Sequence, residues 1–206
     1  MARTIIINEL MKSKKYNSYL ELGVDTGNNF SNIQVANLWE KRGVDIEPIK
    51  GHFNYLNARI FIGTTNQFFR QTSETFDLIF IDADHERKQF LQDVNNSLLI
   101  LNPGGTIVCH DCLPVKENHQ KVPRVSEQWT GNVWKGWMDL RNTRADLQMC
   151  VIDQDWGCGL IQFGKQKCMN VKESDLTWSN FKVRKKKWLS IVKEIPIKFR
   201  HSEFKK

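Results

Sequence analysis

Residues 76–90 read FDLIFIDADHERKQF. The run FDLIFI is strongly strand-forming, and it passes directly into Asp82-Ala83-Asp84-His85. A helical pattern follows from Glu86 to Leu101, with Phe90, Leu91, Val94 and Leu98 on one face. Asn102-Pro103-Gly104-Gly105 stops that helix and turns the chain into a second strand, Thr106–His110. Strand, helix and strand in that order make a parallel pair with a crossover, so the fold is α/β. The same order sets three ionisable groups at the carboxyl end of a buried strand, which is where open parallel sheets bind ligands.

Working outward, further short apolar runs predict strands at Tyr19–Leu22, Gly43–Ile46 and Arg59–Ile62, with helices at Ile5–Lys14, from Asn29, around Asn54–Asn57 and at Asn66–Gln71. After Pro123 the pattern changes. Val133–Leu147 has helical spacing, and its Trp134 and Trp137 fall on the core face. Two runs then follow, Met149–Asp153 and Gly159–Phe163, joined by five residues. That link is too short for a parallel crossover and predicts an antiparallel hairpin at the sheet edge.

At 206 residues the chain fits one domain, 1–164, with an extension at 165–206. Charge separates the two. The net +7 divides into −2 over residues 1–164 and +9 over 165–206. In the extension Leu176, Phe181, Trp188, Leu189 and Val192 recur at helical spacing, which predicts a helix docked on the domain. A nucleic-acid arm, or an RNA-modifying role, is the alternative for the same basic, aromatic-bearing segment. The apolar runs are too short to span a bilayer, and no basic region with an apolar stretch opens the chain, so a cytoplasmic protein is expected. Five cysteines leave one unpaired in any full disulfide scheme, which suits a reducing compartment.

The residues after each strand form one set. Glu21-Leu22-Gly23-Val24-Asp25-Thr26-Gly27-Asn28 supplies two glycines ahead of a helix N-terminus. Asp45 follows the second strand, placed for two ribose hydroxyls, and Thr65 and Asn66 follow the third. Glu21 and Asp25 would repel a pyrophosphate and welcome a cation, so an adenosine-type ligand bearing positive charge is expected. Asp82 and Asp111, at adjacent strand ends, offer an oxygen-rich set for Mg²⁺ or Mn²⁺, and His110 or His85 would bias it towards Mn²⁺ or another transition metal. Asp84 and His85 have a second expectation, as caps of the helix from Glu86.

The motifs YLELGVDTG, GVDIEP, GTTNQFF, FDLIFIDADH and LNPGGTIVCHD resemble, in order, those of class I S-adenosylmethionine-dependent methyltransferases of the methyltransferase domain 24 type. WTGNVWKGWMDLR and VIDQDWGCGLIQFG resemble what that group carries after its core. The resemblance implies a Rossmann-like methyltransferase fold, with a seven-stranded, mostly parallel sheet, a C-terminal antiparallel hairpin and helices on both faces. It implies S-adenosyl-L-methionine as cofactor, with Glu21, Gly23, Asp25, Gly27 and Asn28 around the methionine portion, Asp45 on the ribose, Thr65 and Asn66 near the adenine, and Asp82 beside them. Asp-Ala-Asp-His is also similar to the Asp-Ala-Asp-Lys of metal-dependent O-methyltransferases, where two aspartates hold a divalent ion. By that likeness Asp82 and Asp111 hold the metal, His85 stands at the lysine position as base, and Cys112 stands where an asparagine is usual. The acceptor implied is a small-molecule or glycan hydroxyl, and a homo-oligomer is compatible with the type. A silent cofactor-binding subunit is disfavoured by the full motif set.

Overall fold

The structure is a computed structural model that describes residues 1–33, 40–49 and 58–200. FDLIFI forms β4 (Phe76–Ile81), the centre of one sheet whose elements run α1 (Ala2–Lys14), β1 (Ser18–Leu22), α2 (Asn28–Ser31), β2 (Glu40–Asp45), β3 (Ala58–Ile62), α3 (Thr65–Gln71), β4, α4 (Arg87–Leu99), β5 (Leu101–Cys109), α5 (Val133–Thr143), β6 (Leu147–Ile152), β7 (Cys158–Phe163), α6 (Trp178–Trp188), β8 (Ile191–Val192) and α7 (Ile197–Arg200). The strand order is β3-β2-β1-β4-β5-β7-β6-β8. β1 to β5 pair in parallel, and β7 is antiparallel to both β5 and β6. The order reverses between β1 and β4, and that switch point is where a crevice opens beyond the strand ends.

Both faces of the sheet are covered, which is why the central strands are mostly apolar, with Glu21 in β1 and Asp77 in β4 as the charged exceptions. Leu20, Ile79, Ile81 and Ile107 pack on one side with residues of α4, α5 and α6. Tyr19, Leu78, Phe80, Val108 and Leu160 pack on the other with α1 and Phe199 of α7. The alternation of period two assigns each strand residue to its side.

Several boundaries differ from the sequence expectation. Asn102-Pro103-Gly104-Gly105 does not precede β5 but lies inside it: Phe76 pairs with Leu101 and Leu78 with Thr106, so four residues bulge opposite Asp77. The bulge is held by Asn102 Nδ2 donating to Asp77 Oδ1 (2.8 Å) and by Tyr16 Oη donating to the Gly104 carbonyl (2.5 Å). α5 ends at Thr143, because Leu147 is needed as the first residue of β6. The helix expected around Asn54–Asn57 lies outside the described residues.

Among the described residues the sheet has eight strands where seven were expected, because the basic extension adds one. Thr177 Oγ1 caps α6, accepting from the Asn180 amide at 3.3 Å. Phe181, Trp188 and Leu189 are buried, with the Trp134 ring 4.6 Å from Phe181 and stacked 6.2 Å from Trp188. Burial of side chains of this size stabilises by about 1.5–3 kcal/mol each. β8 then pairs in parallel with β6. Lys182, Arg184, Lys186 and Lys187 stay in solvent.

Candidate active site

The turn after β1 crosses the crevice floor in a conformation that its glycines permit. Gly23 has φ +84°, and a Cβ there would fall inside the Asp82 carbonyl, so the absence of a side chain lets β1 and β4 exits touch. Gly27, φ +79°, starts α2. Asp45 at the end of β2 ties this turn down: its Oδ2 accepts from the amides of Val24 (2.9 Å) and Asp25 (2.8 Å), and its Oδ1 from Glu47 (3.1 Å). Asp25 and Asn28 are exposed on the turn.

Glu21 differs from its expected place. It shares a strand face with Tyr19 and is 1% exposed, accepting from Tyr19 Oη (2.5 Å) and Asn29 Nδ2 (3.0 Å). Burial lifts its pKa to about 8, so at neutral pH it is a protonated floor group and offers no charge to a cation.

Thr65 and Asn66 begin α3, behind a capping box in which Thr64 and Gln67 satisfy one another. Gln89 of α4 reaches both, donating to Thr65 Oγ1 (3.1 Å) and accepting from Asn66 Nδ2 (3.2 Å), and it also donates to buried Asp93 (2.9 Å). The two residues expected near an adenine are therefore held against α4.

Beyond β4 and β5 lies the charged centre. Oxygen and nitrogen atoms of Asp82, His85 and Asp111 lie within 4.8 Å of one another. His85 Nε2 is 3.2 Å from Asp111 Oδ2 and 3.5 Å from Asp82 Oδ1, and its Nδ1 is 3.2 Å from the Trp129 carbonyl. The Trp129 indole stacks on the imidazole at 5.2 Å. Burial alone would lower the His85 pKa, but the hydrogen bond to Asp82 and the charges of Asp111 and Asp82 outweigh it and raise it. Neither Asp84 nor His85 caps the helix as expected: α4 begins at Arg87 with Glu86 at its N-cap, and Asp84 instead closes a turn, its Oδ1 accepting from the Glu86 amide at 2.9 Å. Asp111 holds a left-handed φ of +59°, and Gly131 is pressed so closely on the His85 carbonyl that no Cβ fits.

His110 lies deeper. Its Nδ1 is 3.3 Å from Asp82 Oδ1 and 3.2 Å from Asp111 Oδ2, its Nε2 is 3.4 Å from Asp155 Oδ1, and its pKa stands well above the usual imidazole value. Burial works against that rise, and the Asp82 charge with the three carboxylate partners overcomes it. Asp82 is held below the usual carboxylate range: burial opposes this, and His110, His85 and Arg3 prevail.

Two members of this centre carry no sequence signature. Arg3, in the first turn of α1, donates from Nη1 to Asp82 Oδ2 at 2.6 Å and from Nε to Asp155 Oδ2 at 3.1 Å. Asp155 sits in the five-residue β6–β7 turn with φ +48°. Cys112, by contrast, is fully buried beneath the centre and its thiol bonds to the Cys109 and His110 carbonyls. Trp156 packs on His119 at 5.1 Å and Thr130 is buried, whereas the Trp129 ring stacks on the His85 imidazole.

Residues 20–112 match the model of a family described as a methyltransferase domain. Among solved structures, the chain is similar to the O-methyltransferase TomG from Streptomyces achromogenes in complex with SAM, at 13% identity over 79% of each chain and a TM-score of 0.60. It is similar to the SAH-bound methyltransferase PaMTH1 of Podospora anserina at 14% identity, covering 79% of this chain and 78% of that one, TM-score 0.61. An O-methyltransferase from Bacillus cereus in complex with SAH aligns at 16% identity over 78% and 79% of the two chains, TM-score 0.55. At such identities the likeness establishes the shared fold. A search of curated protein sequences gave no match. Among the described residues no helix is long and apolar enough to cross a membrane.

Proposed function

We propose that the protein, whose residues 20–112 match a family described as a methyltransferase domain, moves a methyl group from S-adenosylmethionine to a hydroxyl oxygen of a small molecule or saccharide, with His85 as the general base. S-adenosylmethionine supplies the electrophilic methyl group and leaves as the thioether. The turn 23–27 takes its methionine portion, the Asp45 carboxylate its ribose, and the Thr65–Asn66 helix start its base. Relatives of this fold bound to SAM and SAH support that assignment.

The observation that carries the proposal is the setting of His85. With Nδ1–H donating to the Trp129 carbonyl, Nε2 is the nitrogen that loses its proton when the imidazole becomes neutral, and the base is that neutral form, populated above the raised pKa that Asp82 and Asp111 impose. A hydroxyl is a poor nucleophile until it loses its proton, and Nε2 takes that proton as oxygen attacks carbon. The imidazolium so formed lies between two carboxylates, which stabilise it.

The same three side chains suit a divalent ion in composition, because two carboxylates and one imidazole favour Mn²⁺ or another transition ion over Mg²⁺. Asp82, His85 and Asp111 would hold it, and it would activate the hydroxyl by coordination. In that arrangement His85 would be a ligand and no longer the base. Arg3 on Asp82 favours the base reading. The basic extension does not favour a nucleic-acid arm, since of Trp178, Phe181 and Trp188 the last two are buried and the partly exposed Trp178 already stacks on Phe181.

The test is methyl transfer from labelled cofactor to a panel of phenols, catechols and sugars, with and without excess chelator. We expect activity to persist in chelator and to rise with pH through the elevated His85 pKa, and His85→Gln to lose roughly 10²–10⁴-fold in kcat. Wild-type rates in His85→Gln would remove the proposal.

A further inference from the structure

We propose that Arg3 is the built-in cation of this centre: its guanidinium takes the place that a divalent ion would occupy against Asp82, so Arg3 and metal exclude one another. Arg3 donates three hydrogen bonds to carboxylates at the charged end of the sheet, and its Nη1 also stands 3.4 Å from His110 Nδ1. Its backbone amide (3.0 Å) and Nε (3.1 Å) both donate to Asp155 Oδ2, and Nη1 donates to Asp82 Oδ2 at 2.6 Å. The side chain is 19% exposed and its partners 17% and 15%, so the pairs lie where water screens them little. The double hold on Asp155 sets the direction in which Nη1 points, and the other carboxylate oxygen of Asp155 lies 3.4 Å from His110 Nε2.

The consequence for a metal follows from counting the oxygens that face the centre. Asp82 Oδ2 is closed by Arg3, while Asp82 Oδ1 and Asp111 Oδ2 are each approached by both His85 and His110. A divalent ion bound to Asp82 would stand within a few ångströms of a permanent positive charge in a partly dry site, where like charges repel strongly. The ion therefore enters only where Arg3 is removed or displaced. With Arg3 present, Asp82 and Asp111 keep their orientation and charge balance without metal, and His85 stays free to act on a proton. This deepens the function proposed for the same centre and rests on that assignment of Asp82, His85 and Asp111, but its test needs no turnover.

Mn²⁺ binding is read from the loss of the free-ion signal in electron paramagnetic resonance, on wild type, Arg3→Ala and Arg3→Met. The Met variant keeps most of the aliphatic stem in case the Ala variant unfolds, and circular dichroism establishes that each is folded. We expect wild type to take up no Mn²⁺ at about millimolar concentration, and the charge-deleted variant to bind one ion at least roughly tenfold more tightly. Adding Asp111→Asn to that variant should return binding to the wild-type level. Wild type that binds one Mn²⁺ at about millimolar concentration or below overturns the inference, whether or not the variants fold. A folded Arg3 variant that still takes up no ion overturns it equally. Methyl transfer that fails on every acceptor, with this Mn²⁺ pattern intact, counts against the function proposed above and not against the place of Arg3.

Discussion

Glu21→Gln is the most quantitative perturbation that the centre offers. The carboxyl is fully enclosed, accepts from Tyr19 and Asn29, and has its pKa lifted by burial to about 8. In the unfolded chain a glutamate ionises near 4.3. A group raised on folding gives its full stabilisation below the unfolded pKa and loses it as pH climbs towards the folded one. Between pH 5 and 7 the unfolded chain has released this proton and the folded chain has not, which costs about 1.4 kcal/mol per pH unit, or about 2.7 kcal/mol across the window. Glutamine accepts the same hydrogen bonds and has no proton to lose. Buried Asp93, with a pKa of about 6, and the raised histidines titrate in both proteins and cancel in the difference. Thermal melts at half-unit steps should therefore show wild type losing roughly 5–10 °C more than Glu21→Gln from pH 5 to 7, at about 2–4 °C per kcal/mol for a chain of this size. Parallel melting curves would refute the protonated, buried state of Glu21.

Asp45→Ala removes the carboxylate that joins the β1 turn to β2, and calorimetry should show S-adenosylmethionine binding weakened by about ten- to a hundredfold, the scale of hydrogen bonds to a charged group. Gly131→Ala puts a Cβ into the His85 carbonyl at φ +56°; we expect a strain of about 1–3 kcal/mol and a fall in kcat that exceeds the change in cofactor affinity. Ending the chain after Gly164 strips Phe181, Trp188, Leu189 and Phe199 from their pockets; at about 1.5–3 kcal/mol each, the loss should lower the melting temperature sharply or prevent folding. A truncated protein that melts like the full chain, and has lost salt-sensitive RNA binding that the full chain shows, would instead favour the arm.

The parallel core was legible because buried strands are written as apolar runs, and FDLIFI followed by a helix leaves little freedom in how its neighbours attach. The five-residue link after β6 settled the hairpin for a similar geometric reason. Glu21 was legible in principle, since a period of two puts it on the inward face with Tyr19, but its neighbouring glycine turn drew it into the loop. The Asn102–Gly105 segment has the composition of a helix stop, and only pairing with β4 reveals it as a bulge. Arg3 and Asp155 could not be found in this way. One is an arginine in a short amphipathic helix and the other an acid in a turn, and they meet only because the sheet order brings α1 and the β6–β7 turn to the end of β4.

The extension reaches the centre by an indirect route. β8 pairs with β6, the Asp153 amide donates to the Val192 carbonyl at 2.9 Å, and two residues later stands Asp155, the anchor of Arg3. Arg200 of α7 meets Glu9 of α1 at 3.1 Å, so segments almost two hundred residues apart are clasped together. A ribosome releases residues 191–200 long after α1, and until they arrive neither the turn that bears Asp155 nor the helix that bears Arg3 has its flanking support. Contacts of such long sequence separation slow folding. On the function proposed here, a nascent chain short of its extension would already carry the β1 and β2 turns expected to take the cofactor, while Asp155 and Arg3 still lacked these two ties.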